Sequence, residues 1–143
     1  MLKNIHPLLN ADLLDVLRRM GHGDDIAIVD ANFPAYSQGP RVVPLHGVDA
    51  VAALDAILSV MPLDDFVPEA CWRMQVVGAP DAEQPVFDLF REVVARREGP
   101  QFKLGSLERF EFYSRTSQCF AVVATTERRL YGNIILKMGV LKP

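Results

Sequence analysis

Four groups of side chains in this sequence are of types that can move a proton or grip a polar ligand. His22 stands between Gly21 and Gly23, and Asp30 follows the apolar run Ile26-Ala27-Ile28-Val29. Arg109 opens Arg109-Phe110-Glu111-Phe112-Tyr113, and Tyr131-Gly132-Asn133 precedes Ile134-Ile135-Leu136. Imidazole ordinarily titrates near neutral pH, so His22 is suited to general acid–base work. Its flanking glycines let the backbone bend sharply and a ligand come close. The plainer reading is a histidine that simply complements a helix C-terminus. Asp30 is either an acceptor for loop N–H groups or a ligand-binding carboxylate. Arg109 either pairs with Glu108 or Glu111 at the surface or donates to a ligand. Tyr131 offers turn packing, or a ring face and hydroxyl to a ligand. His6 and His46 have no comparable setting, and Asp24 and Asp25 read as turn residues.

The elements that must position these groups alternate between helix and strand. Asn10 or Asp12 caps a helix with Leu13, Leu14, Leu17 and Met20 inward, and Gly21 is placed to end it in a left-handed cap. Residues 26–29 form a buried strand that stops at Asp30, and 31–40, with Pro34, Gly39 and Pro40, form an irregular loop. A strand at 41–45 and a helix at 47–60 follow, the helix capped by Asp49. Residues 70–77 suit a strand and 80–85 a turn. A helix running to Arg97 carries Phe87, Phe90, Val93 and Val94 on one face and stops at Gly99-Pro100. Helical spacing from Leu107 to about Gln118 precedes strands at 120–124 and 133–136, joined by a polar turn. This order predicts one α/β layered domain over residues 1–143, a largely parallel central sheet flanked by helices. In such a fold the loops of His22 and Asp30 are expected at one edge.

Composition narrows the function. At 143 residues, with half of them hydrophobic and a formal charge of −3, the chain can bury a core of its own and has no basic stripe for nucleic acid. Cys71 and Cys119, far apart in apolar runs, read as buried small hydrophobes rather than a disulfide or metal site. The first residues lack a signal peptide's continuous apolar stretch, and no window approaches the roughly 18 apolar residues of a membrane span. A cytoplasmic protein without membrane contact is expected. No phosphate loop, dinucleotide fingerprint, zinc-spaced histidine pair or nucleophile elbow occurs, which points away from nucleotides and metals.

The separated motifs, in order, resemble the sugar mutarotase family that contains the bacterial fucose mutarotases and ribose pyranases. The likeness covers Met1–Pro7, Met20–Asp24, Asp30–Ala35, Arg109–Tyr113, Tyr131–Lys137 and Gly139-Val140, while 47–99 matches mainly in hydrophobic pattern. The resemblance implies that His22 is the proton donor and that Asp30, Arg109, Tyr131, Gly132 and Asn133 bind the substrate. Ribose-type members tend to carry His at the position of Arg109 and Ala at that of Gly132, and lack Phe110 and Tyr113 in this form, so the chain looks like the fucose branch. The resemblance further implies a cofactor-free isomerase of L-fucose or a related monosaccharide that opens and recloses the ring, in a homo-oligomer up to a decameric ring. The alternatives are a ribose-type pyranase and a non-catalytic sugar-binding regulator.

Overall fold

The first helix begins where a side chain can satisfy a free backbone donor: Asn10 Oδ1 accepts the Leu13 N–H at 2.9 Å, opening α1 (Ala11–Arg19). The computed structural model describes all 143 residues. After α1 come β1 (Asp25–Val29), a single 3₁₀ turn at Ala35–Ser37, β2 (Arg41–Leu45) and α2 (Ala50–Leu58). There follow β3 (Cys71–Met74), α3 (Pro85–Glu98), β4 (Gly105–Leu107), α4 (Arg109–Ser117), β5 (Ala121–Thr125) and β6 (Ile134–Lys137). Asp49 caps α2 through Ala52 N–H, and Pro85 opens α3 where its missing N–H costs nothing.

The strands form one sheet in the order β2-β5-β1-β6-β3-β4. Three of its five pairings are parallel, and β6 runs antiparallel to both neighbours. Alternation along β1 sends Ile26 and Ile28 to one face and Ala27 and Val29 to the other. The first face meets α1, α2 and α3 through Leu13, Val16, Leu54, Ile57, Phe87 and Phe90. The second meets α4 and the 31–35 loop through Phe112, Phe33, Trp72 and Met74. This α/β/α layering is the expected fold, and β1 sits buried at its centre. No helix is long and apolar enough to cross a membrane.

Local details depart from the sequence reading. Gly21 is not left-handed; α1 ends because Met20 turns extended, and the positive φ of this loop falls on Gly23. Asp25 is no turn residue but the first of β1, paired with Arg115 at 3.0 Å. The loop at 31–40 contains one 3₁₀ turn. β3 stops at Met74 because Val76 pairs back to Ala79 around Gly78. β4, with Gly and Ser among three residues, shows no periodicity of its own and exists by pairing with β3.

Candidate active site

At the C-terminal end of β1 the chain builds a polar pair in an apolar setting. The Asp30 N–H donates to Asn133 Oδ1 at 2.8 Å, and Asn133 Nδ2 donates back to Asp30 Oδ2 at 3.0 Å. Asp30 Oδ1 accepts from the Asn32 N–H at 3.0 Å. Both side chains are buried. Burial raises the Asp30 carboxyl above the usual carboxylate range, against the lowering effect of its hydrogen bonds from Asn32, Asn133 and Phe33. Asp30 is therefore both a loop organiser and a wall of a cleft.

That cleft, about 260 Å³, is lined by Asp30, Asn133, Arg109, Tyr131, Phe33 and Tyr113, with Met74, Asn32, Val77 and Leu130 closing it. Its size is below the roughly 300–1,000 Å³ of drug-sized pockets and suits a small ligand. Arg109 is the first residue of α4, and its guanidinium lies 4.5 Å over the Phe110 ring. Its Nε is enclosed and makes no hydrogen bond within the chain. The pairing with Glu108 or Glu111 considered from the sequence does not form; Glu108 instead caps α4 through the Phe110 and Glu111 N–H groups. An enclosed donor without a partner is costly, and a ligand acceptor in the cleft would relieve it. Tyr131 sits at φ 60°, unusual for a residue with a Cβ, and its hydroxyl accepts the Val77 N–H at 3.1 Å. Gly132 does not line the cleft. A Cβ there would lie 2.5 Å from Glu127 Cγ, so only glycine lets the turn close over that side chain.

His22 is elsewhere. The expectation that His22 and Asp30 share an edge is overturned, because β1 runs between their loops and places them at opposite ends of the sheet, ~16 Å of strand apart. The cleft contains no histidine. The His22 side chain is 45 % exposed, while its partner Asp64 is buried. Nε2 lies 3.1 Å from Asp64 Oδ1, and the ring packs against Phe66 with centroids 5.2 Å apart. An ionised carboxylate only accepts, so Asp64 holds the Nε2 proton and leaves Nδ1 free.

Asp64 escaped the sequence reading because it lies far from His22 in the chain, within Pro62-Leu63-Asp64-Asp65. The Asp64 and Gly139 N–H groups pair this segment with β6 and its extension, donating to Lys137 O and Pro62 O. A Cβ at Gly139 would collide with the Leu63 carbonyl, so glycine is required there. The Met138 carbonyl accepts the Gly23 N–H, which holds the His22 loop against the same segment. His6 only accepts from its own loop at Leu8 N–H, and His46 is exposed with no partner. Burial pushes the Cys71 and Cys119 thiols up to about 12, which keeps both inert. No group of three or more His, Cys, Asp or Glu side chains gathers to hold a metal.

Comparison with known proteins gives this geometry a context. The human protein named fucose mutarotase is 44 % identical, over 98 % of this chain and 94 % of its own. The crystal structure of the fucose mutarotase from Streptococcus pneumoniae in complex with L-fucose superposes with a TM-score of 0.92 at 38 % identity, covering 99 % of this chain and 100 % of the other. The Bacillus subtilis RbsD complexed with D-ribose superposes less closely, with a TM-score of 0.78 at 25 % identity, covering 99 % and 100 %. The family model described as the RbsD / FucU transport protein family matches residues 3–141, and this chain belongs to that family.

Proposed function

We propose that this protein is a sugar mutarotase that interconverts the α and β anomers of L-fucose, or of a monosaccharide sharing its hydroxyl configuration. The observation that carries this reading is the end-to-end likeness to an L-fucose-bound mutarotase, closer in sequence and in shape than the likeness to the ribose-bound relative. The chemistry of the cleft agrees. Asp30 and Asn133 can fix hydroxyls, the free Arg109 Nε can donate to a sugar oxygen, and Phe33, Tyr113 and Met74 offer apolar surface to the ring.

Anomer exchange requires that the anomeric hydroxyl lose a proton as the C1–O5 bond breaks and that O5 gain one. The aldehyde then turns about C1–C2 and the ring recloses by the reverse transfers. One imidazole nitrogen can take the first proton and return the second, and Nδ1 of His22, backed by Asp64, is suited to that role. No step calls for a metal or redox group, so chelator-treated protein is expected to keep its activity.

Within one chain His22 cannot reach the cleft, so the reading includes a second copy. A head-to-tail contact that seats the His22 end of one subunit in the Asp30 cleft of the next is heterologous, and repeated through a rotation that closes it forms a ring. Exposed apolar side chains at both ends accord with such a contact: Phe66 beside His22, and Val77, Leu130 and Phe110 about the cleft. The two free buried cysteines accord with a reducing, cytoplasmic setting. The test is exchange NMR of anomeric protons with L-fucose, galactose and D-ribose. Faster exchange for L-fucose than for D-ribose is expected, with partial activity on galactose. Faster acceleration of ribose ring exchange would replace this reading with the pyranase.

A further inference from the structure

Three acidic side chains are buried in this chain: Asp30, Asp64 and Glu127. Asp30 lines the cleft and Asp64 holds His22. Glu127, 2 % exposed, does neither, yet it is the most heavily bonded of the three. Its Oε1 accepts from the Arg129 N–H and Nε at 2.8 and 2.9 Å. Its Oε2 accepts from Arg129 Nη2 at 2.7 Å and from the Ala50 N–H, at the start of α2, at 3.1 Å. The main chain of the same residue reaches the other wall of the cleft. Glu127 O accepts the Ala31 N–H at 2.9 Å, and Glu127 N–H donates to Thr125 Oγ1, which donates in turn to Val29 O. The residues on either side of Asp30 are thus tied to the segment that ends at Glu127, and the glutamate's methylenes fill the space that Gly132 leaves open.

A buried carboxylate is a costly way to pack a turn, since its desolvation must be offset by donors on every side. What it supplies beyond packing is direction: four donors from two segments converge on two oxygens. We propose that Glu127 is a positioning residue for the sugar site, its carboxylate clamped by Arg129 and the first amide of α2 so that the following turn presents Tyr131 and Asn133 to Asp30. The proposal rests on the Asp30 cleft being where the sugar binds. It has an electrostatic corollary. Glu127 is the acidic group that adds to the upward push of burial on Asp30. The other charged or titratable groups about the cleft are Arg109, Tyr113 and Tyr131, with Arg129 on the far side of Glu127.

The experiment compares Glu127→Gln, Arg129→Gln, the double variant and the exposed-turn control Arg128→Gln, measuring L-fucose anomer exchange against concentration and pH. A displaced turn weakens sugar binding without touching His22, so Glu127→Gln is expected to raise KM about ten-fold with kcat little changed. Arg129→Gln is expected to raise it less, and the double variant no more than Glu127→Gln alone, because both belong to one network. Without the Glu127 charge Asp30 ionises at lower pH, so the acid limb of sugar binding, read as KM against pH, moves down. A merely structural role would lower apparent kcat through lost folded protein, with KM and the acid limb unmoved, and that result overturns the proposal. If Glu127→Gln does not fold, the half-exposed Arg129→Gln carries the test, and an unchanged KM there overturns it equally. Asp30→Asn separates the two layers. If it loses sugar binding while the Glu127 and Arg129 variants keep it, only this proposal falls. If it keeps binding, the cleft is not the sugar site and the proposal falls with that assignment.

Discussion

The two ends of β1 are built on opposite principles. At the C-terminal end Asp30 and Asn133 are buried and bonded to each other in both directions, with Arg109, Tyr131 and Glu127 arranged about them. At the N-terminal end His22 has a single polar partner, Asp64, and nearly half of its side chain faces solvent. A binding site gains from groups whose positions are settled before the ligand arrives, since ordering them later subtracts from affinity. A proton carrier must instead leave one nitrogen accessible. The chain separates these demands by the length of one strand, so under the proposed function the two ends meet only through a second copy.

The sharpest way to break this comparison is to disable one end per subunit and mix. His22→Ala keeps the cleft and Asp30→Asn keeps the imidazole. His22→Ala alone is expected to lose about 10²–10⁴-fold in anomer exchange, the worth of its acid–base role, and Asp30→Asn alone to lose activity through lost sugar binding. If the site lies between subunits, co-refolding the two variants in equal amounts rebuilds both halves at about one contact in four, by random pairing around a head-to-tail ring. Activity near a quarter of wild type is the expected result. No recovery in mixed assemblies would show that the two ends do not combine.

Next in size is the link between His22 and its carboxylate. Asp64→Asn keeps the volume but can present an N–H to Nε2, which favours the wrong tautomer. A fall of about 10–100-fold in kcat with KM little changed is expected, a share of what general acid–base catalysis supplies. An equal rise in KM would mean that Asp64 serves the sugar rather than the imidazole.

At the cleft end Asp30 was legible from the residues themselves, because a carboxylate closing an apolar strand stands out, whereas the binding roles of Arg109, Tyr131 and Asn133 came from the family resemblance. Asp30 closes β1, Asn133 precedes β6 and Arg109 begins α4, and the fold brings these boundaries together. The layered α/β order was legible in the spacing of apolar residues. What was not legible came from pairing across distance. Asp64 lies in a segment with no periodicity and reaches His22 only because residues 62–64 are bonded to 137–139. β4 is a strand by virtue of its neighbour β3, and Glu127 looked like one charge of a polar turn until its burial was visible. The placement of His22 was misjudged because adjacency to a strand was read as adjacency to its far end.

A smaller effect sharpens what Tyr131 does at the cleft. Its hydroxyl accepts from the Val77 N–H, a half-exposed bond that water can replace at a cost of about 1 kcal/mol. Tyr131→Phe is therefore expected to raise KM a few-fold as the 75–80 loop loosens, with kcat within a few-fold of wild type. A fall in kcat of about 100-fold would instead put the phenol in the proton relay with His22.

The least effect, and the one confined to the cleft end, is on stability against pH. Burial raises the carboxyl of Asp30 in the folded chain, whereas in the unfolded chain it returns to its ordinary value near 3.8. The folded state then holds this proton more tightly than the unfolded state does. Stability contributed by Asp30 is complete below pH 3.8 and is lost as pH rises through the raised folded value. Asp30→Asn removes that dependence while keeping the shape. Denaturant unfolding of the two proteins across pH 3 to 7 should show the variant gaining on wild type as pH rises, even as its activity falls. His22→Ala, altering an exposed group at the other end, should show no gain of this kind between pH 3 and 5. If the Asp30→Asn difference were flat with pH, its hydrogen bonds would balance burial, and the cleft end would hold its charge without stored cost.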